Sequence, residues 1–114
     1  MHPNRLTAGL GLVFAFMVLP PLCIAADIVN VSIRDYRFDP PTVQVKPGAT
    51  VRWTNHEKRA NHSIYFGTNG SQESERLFPG DSWQRTFDRP GTYSYACGPH
   101  PEMVGRIIVS EIAE

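Results

Sequence analysis

Past residue 26 the chain alternates apolar and polar positions in short stretches, as in Ile28-Val29-Asn30-Val31-Ser32-Ile33, Thr42-Val43-Gln44-Val45-Lys46 and Val51-Arg52-Trp53-Thr54. The same pattern returns in 62–66, 82–87, 92–96 and 106–109. A period of two sends alternate side chains to opposite faces of a pleated strand, so each stretch predicts a strand with one buried face. Asp39-Pro40-Pro41, Pro47-Gly48 and Pro90-Gly91 separate the stretches. Proline presets φ and glycine takes the conformations tight turns need, so these are turns. No stretch in this part sustains a helical period. Seven or eight such strands in one small domain predict an all-β fold, a two-sheet Greek-key β-sandwich. Gly67 to Glu75 is rich in Gly, Ser, Asn and Glu without an apolar period, and predicts a solvated loop.

The first 26 residues carry a different pattern. Met1 to Arg5 is positively charged, Leu6 to Leu19 is an apolar run, and Pro20-Pro21 leads to Cys23-Ile24-Ala25-Ala26 with small residues at its end. This is the layout of a secretory signal peptide. The run falls short of the roughly 20 residues that span a bilayer, so no membrane span is expected in the mature form. Residues 1–26 are therefore predicted as a signal removed after Ala25 or Ala26, and residues 27–114 as one exported, periplasmic domain. Leu22 stands where lipid attachment to Cys23 would favour a small residue, and there is no twin-arginine pair. Export through a Sec-type route implies that any metal is acquired after crossing.

Charge adds exclusions rather than a function. Eleven Lys and Arg balance eleven Asp and Glu, mixed along the chain rather than in blocks. That distribution argues against nucleic-acid binding and against a strongly charged docking face. Nothing suggests an obligate oligomer, and a monomer is expected. A core of this size is modest, so a bound metal that prefers the native state would add to its stability.

Candidate chemistry concentrates in Cys97-Gly98-Pro99-His100-Pro101-Glu102-Met103, where a thiol, an imidazole and a thioether follow at three-residue intervals. Signal cleavage would remove Cys23 and leave Cys97 without an internal disulfide partner. An odd cysteine in an exported chain is a reactive thiol, an intermolecular bridge or a ligand; a small buried hydrophobe is the bland alternative. Soft sulfur with imidazole favours copper, and two imidazoles, a thiolate and a weak axial thioether form a blue-copper site. His62 can supply the second imidazole. His56 also lies near, but in the polar turn Asn55-His56-Glu57-Lys58-Arg59, whereas His62 opens the apolar pattern of Ile64 and Phe66. Zinc would accept Cys97 and both histidines but gains little from Met103. Pro99 and Pro101 fix φ on either side of His100 and reduce the freedom lost on ordering the loop.

Tyr36-Arg37-Phe38-Asp39-Pro40, Val45-Lys46-Pro47-Gly48-Ala49-Thr50-Val51, Trp53-Thr54-Asn55, His62 and the segment from Cys97 to Met103 occur in an order that resembles the cupredoxins. Ligand spacing is most similar to amicyanin, then plastocyanin. The resemblance implies one copper ion cycling between Cu(II) and Cu(I), with His62, Cys97, His100 and Met103 as ligands. It also implies electron entry and exit through His100, framed by Pro99 and Pro101. Expected partners are redox proteins such as a c-type cytochrome, a quinoprotein dehydrogenase or a reductase. Amicyanin and plastocyanin carry asparagine where Ser63 stands, which places the hydrogen bond to the cysteine loop in question. No enzyme activity is expected, since His56 alone cannot build the further copper centres of multicopper oxidases, and purple copper needs a second cysteine in the loop. A copper chaperone or sequestering protein using the same four residues is the alternative.

Overall fold

The computed structural model describes residues 9, 11, 13–19, 27–67 and 72–112. Most of the expected signal peptide, including Cys23 and the cleavage point, lies outside the described residues. No helix among the described residues is long and apolar enough to cross a membrane.

Among the described residues nine strands form two sheets: β1 (Ile28–Arg34), β2 (Arg37–Asp39), β3 (Thr42–Val45), β4 (Ala49–Asn55), β5 (Tyr65–Phe66), β6 (Gln72–Glu73), β7 (Ser82–Phe87), β8 (Gly91–Ala96) and β9 (Val104–Val109). One sheet has the order β2-β1-β4-β7, the other β3-β9-β8-β5-β6. The chain changes sheets after β2, after β3, after β4, after β6 and after β7, and this crossing makes β1 run parallel to β4 and β3 parallel to β9. The all-β sandwich is as the alternation predicts, with one or two more strands. β2 and β6 are too short to show a period, and β6 falls in the segment read as a loop. Conversely, the stretch from His62 to Phe66 is only partly strand. His62 makes a single bridge to Leu77, and regular pairing begins at Tyr65.

Inward positions follow the period of two. Val31 and Ile33 of β1, Val51 and Trp53 of β4, Val43 and Val45 of β3, and Ile107 and Val109 of β9 are buried. Trp53 is fully buried amid Phe66, Tyr95 and Trp83, at centroid separations of 6.2, 5.3 and 5.5 Å. Arg85 of β7 lies over the Phe66 and Phe87 rings at 4.5 and 4.7 Å, so its cation rests on aromatic faces at the sandwich margin.

Two polar atoms in this core, Trp53 Nε1 and the Tyr95 hydroxyl, lack a hydrogen-bond partner of good geometry. Burial pushes the Tyr95 phenol up to about 12, and the nearby indole N–H only partly opposes this. An unpartnered buried hydroxyl costs about 1–3 kcal/mol. Tyr95→Phe is therefore expected to leave the urea midpoint unchanged or raise it; a clear fall would show that the hydroxyl is bonded. Gly105 of β9 lies beneath the same phenol, where a Cβ would collide with the ring and hydroxyl.

The register of β1, β4, β7, β8 and β9 brings several connections to one end of the sandwich. These are the Asp35-Tyr36 turn, the segment 56–64, the segment before β7 and the segment 97–103 between β8 and β9.

Candidate metal centre

Tyr93, Tyr95 and Cys97 share one side of β8 and its extension, and their burial deepens towards the loop end. The strand period thus aims the Cys97 sulfur into the end of the sandwich. The loop closes on itself, with the Cys97 N–H donating to Met103 O and the Met103 N–H to His100 O, both at 2.9 Å. His100 is half-buried beside exposed Pro101, and Met103 is 3% exposed.

His62 is fully buried and clamped by two backbone bonds with Leu77, 3.1 Å from its own N–H and 2.8 Å to its carbonyl. Asn55, the last inward residue of β4, organises the loop that leads from it to His62. Its Nδ2 donates to the carbonyls of Ala60 and Leu77 at 2.9 Å each, and its Oδ1 accepts the Glu57 N–H at 2.8 Å. Glu57 is thereby placed with Oε1 3.3 Å from His62 Nε2. A proton on Nε2 donates to this carboxylate and leaves Nδ1 with its lone pair free for a metal. Burial lowers the His62 pKa, Glu57 opposes that through its hydrogen bond and charge, and His100 adds to the lowering.

Glu57 Oε1 also accepts the Tyr36 N–H at 2.7 Å. Asp35 and Tyr36 form the two-residue turn between β1 and β2 with φ of 51° and 55°, the left-handed pair that a tight hairpin requires. Such a φ is uncommon for a tyrosine. The Tyr36 ring meets both candidate histidines edge-on, at 5.4 Å from His62 and 5.0 Å from His100, and is 51% exposed.

Three ligand atoms converge. His62 Nδ1, His100 Nδ1 and Cys97 Sγ lie 3.2, 3.5 and 3.7 Å apart pairwise. A point equidistant from atoms so spaced is about 2 Å from each, close to the ~2.0–2.3 Å of metal bonds to imidazole and thiolate. The donor set therefore fits a single soft metal ion, and Met103 on the same loop offers the fourth, thioether group. Among the described residues this is the one such group of histidine, cysteine and carboxylate side chains. His56 is exposed and takes no part in it. Burial pushes the Cys97 thiol up, Glu102 pushes the same way, and the backbone N–H groups of Ser63 and His100 and the charge of Arg76 oppose them.

Ser63 takes the place in question at the sequence level. Its N–H points at Cys97 Sγ from 3.5 Å, and its Oγ accepts the Gly98 N–H at 3.0 Å while donating to Glu73 Oε1 at 2.8 Å. The serine thus keeps a bond to the cysteine loop and ties it to β6. A Cβ at Gly98 would run into both Glu73 and Ser63. Sequence reasoning did not single out Glu57, Glu73 or the double contact of Tyr36. Glu57 lay in a polar turn and Glu73 in an apparent loop, and only the fold brings them to the site.

Comparisons with known proteins agree with this geometry. Residues 25–110 match the family described as copper binding proteins, plastocyanin/azurin family. The chain is 35% identical over 88 residues to amicyanin-alpha of Methylorubrum extorquens, covering 74% of this chain and 73% of that one. It is 36% identical over 90 residues to amicyanin of Paracoccus versutus, covering 75% and 67%. Among solved structures, the Cu(I) form of a methionine-to-alanine mutant of amicyanin superposes with a TM-score of 0.70 at 31% identity, covering 76% of this chain and 86% of that one.

Proposed function

The chain belongs to the plastocyanin/azurin family of copper-binding proteins, and from that premise we propose that it is a periplasmic one-electron carrier using His62, Cys97, His100 and Met103 as copper ligands. The convergence of two imidazole nitrogens and one sulfur at a buried point is the observation that carries this reading. Copper bound there supplies exchange of one electron between Cu(II) and Cu(I), and no substrate is transformed.

The residues around the point divide the work. His62 and Cys97 are sealed from water, which holds that side of the site in one geometry. Glu57 fixes the His62 ring and keeps its proton on Nε2. The two loop bonds, the Ser63 clamp and Pro99 and Pro101 limit rearrangement between oxidation states. His100 alone of the three reaches towards solvent, so electrons pass through its ring edge to a partner. The partner is a redox protein such as a c-type cytochrome, a quinoprotein dehydrogenase or a reductase, met by a monomer in a brief encounter. Residues 1–26 act as the export signal and residues 27–114 as the working domain.

Copper trafficking by the same side chains is the reading to separate from this one. The mature protein loaded with one equivalent of Cu(II) is expected to be intensely coloured, to bleach and recover through repeated cycles of reductant and oxidant, and to hold its copper against a competing chelator. A colourless protein that binds Cu(I) and yields it readily to the chelator would establish trafficking instead.

A further inference from the structure

Beside the Tyr36 ring lies a cleft of about 580 Å³ lined by Arg34, Asp35, His56, Lys58 and Arg59 among others. Arg34 comes from the end of β1, and Lys58 and Arg59 from the loop after β4, 24 residues or more further along. All three are exposed. Two carboxylates share the cleft. Glu57 is turned inward, 14% exposed at its side chain, and engaged by the Tyr36 N–H and His62. Asp35 is the exposed carboxylate of the pair. Among the described residues no Lys or Arg lies within 4.0 Å of a carboxylate, the one close base–carboxylate contact being His62 with Glu57. The cleft on the other side of Tyr36 differs: Arg34 and Arg37 line it with Asp35, Asp39 and Glu102, two cations against three carboxylates.

The fold therefore sorts a mixed sequence into one positive shoulder, joined to the candidate electron-exit histidine by a single exposed aromatic ring 5.0 Å away. We propose that Arg34, Lys58 and Arg59 form a docking rim for the acidic face of a redox protein, with Tyr36 as the apolar contact between rim and His100. This rests on the electron-carrier reading and adds to it the sign of the partner's charge. Exposed charges act over about one Debye length, roughly 8–10 Å at physiological salt, so their effect is confined to a partner seated against the rim. They raise the encounter rate and orient the partner more than they tighten the complex, as suits a carrier that must let go.

The copper(I)-loaded protein and its Lys58→Glu/Arg59→Glu variant are mixed in a stopped-flow instrument with an acidic c-type ferricytochrome, and separately with tris(phenanthroline)cobalt(III). Each reagent takes one electron from the copper, and no bond or proton moves. Neither substituted residue makes a side-chain hydrogen bond among those of the described residues, so both proteins are expected to fold and show the same visible spectrum. The second-order rate with the cytochrome is expected to fall about tenfold in the variant at low ionic strength, the lower end of electrostatic steering effects. The difference should vanish at about 1 M salt, where the Debye length is roughly 3 Å. An equal or higher rate in the variant at low salt overturns the proposal. Retention of the original protein but not the variant on anionic phospholipid vesicles, with equal cytochrome rates, assigns the rim to a lipid surface and also overturns it. If the copper-loaded protein passes no electron to either reagent, the carrier reading fails, and the docking rim with it.

Discussion

Replacing Cys97 by serine is expected to erase the intense visible band of the copper-loaded protein and to lower its copper affinity by more than the 10–100-fold typical of losing a group one shell further out. The band arises from thiolate-to-copper charge transfer, and Cys97 is the one thiol among the described residues. Its sulfur is one of the three converging atoms, 3.5 and 3.7 Å from the two Nδ1 atoms. A serine hydroxyl fills nearly the same volume but is a hard donor that does not ionise at working pH, so copper loses the soft ligand that selects it. The metal-free variant should melt close to the unsubstituted protein, because the bonds that close the loop come from backbone atoms and Ser63. Absorption and electron paramagnetic resonance spectra after adding Cu(II), with chelator competition for affinity, provide the check. Persistence of the band in the variant would remove Cys97 from the site.

Trp53→Ala is expected to destabilise the metal-free protein by about 3–5 kcal/mol, the usual cost of emptying a large aromatic site in a core. Trp53 is completely buried, bears on Phe66 and Tyr95 of the opposite sheet and on Trp83 of its own, and no neighbour is free to fill the gap. Small domains hold about 5–15 kcal/mol in all, so this loss takes much of the margin. Copper should add about 4 kcal/mol to variant and unsubstituted protein alike when free metal is a thousandfold above its dissociation constant. Urea titrations with and without copper separate the two contributions. A loss below about 1 kcal/mol without metal would show that the aromatic cluster does not hold the sheets together.

The strands and the candidate ligands were legible because each is a local pattern. Alternation in residues 28–33 needs only its own neighbours to be read, and the three-residue spacing from Cys97 to Met103 is contained in one loop. His62 was distinguishable from His56 by its flanking apolar residues, and the structure buries the first and exposes the second. Contacts between distant segments were not legible. Glu57 matters only once β1 and β4 lie parallel and bring the Tyr36 N–H to it, and Glu73 only once the Ser63 hydroxyl faces β6. The positive shoulder was hidden for the same reason: Arg34 lies far from Lys58 and Arg59 in the sequence, and only the fold brings the three to one cleft.

The inward run of Tyr93, Tyr95 and Cys97 also bears on how such a protein can change over generations. In a strand with a period of two, one inserted or deleted residue turns every later side chain to the opposite face. A length change inside β8 would therefore send the sulfur outward and destroy the centre at a stroke. A length change between Cys97 and Met103 alters only how the loop spans the same two strand ends. Descent can lengthen or shorten the loop in small steps, whereas the parity of β8 tolerates only changes that come in pairs.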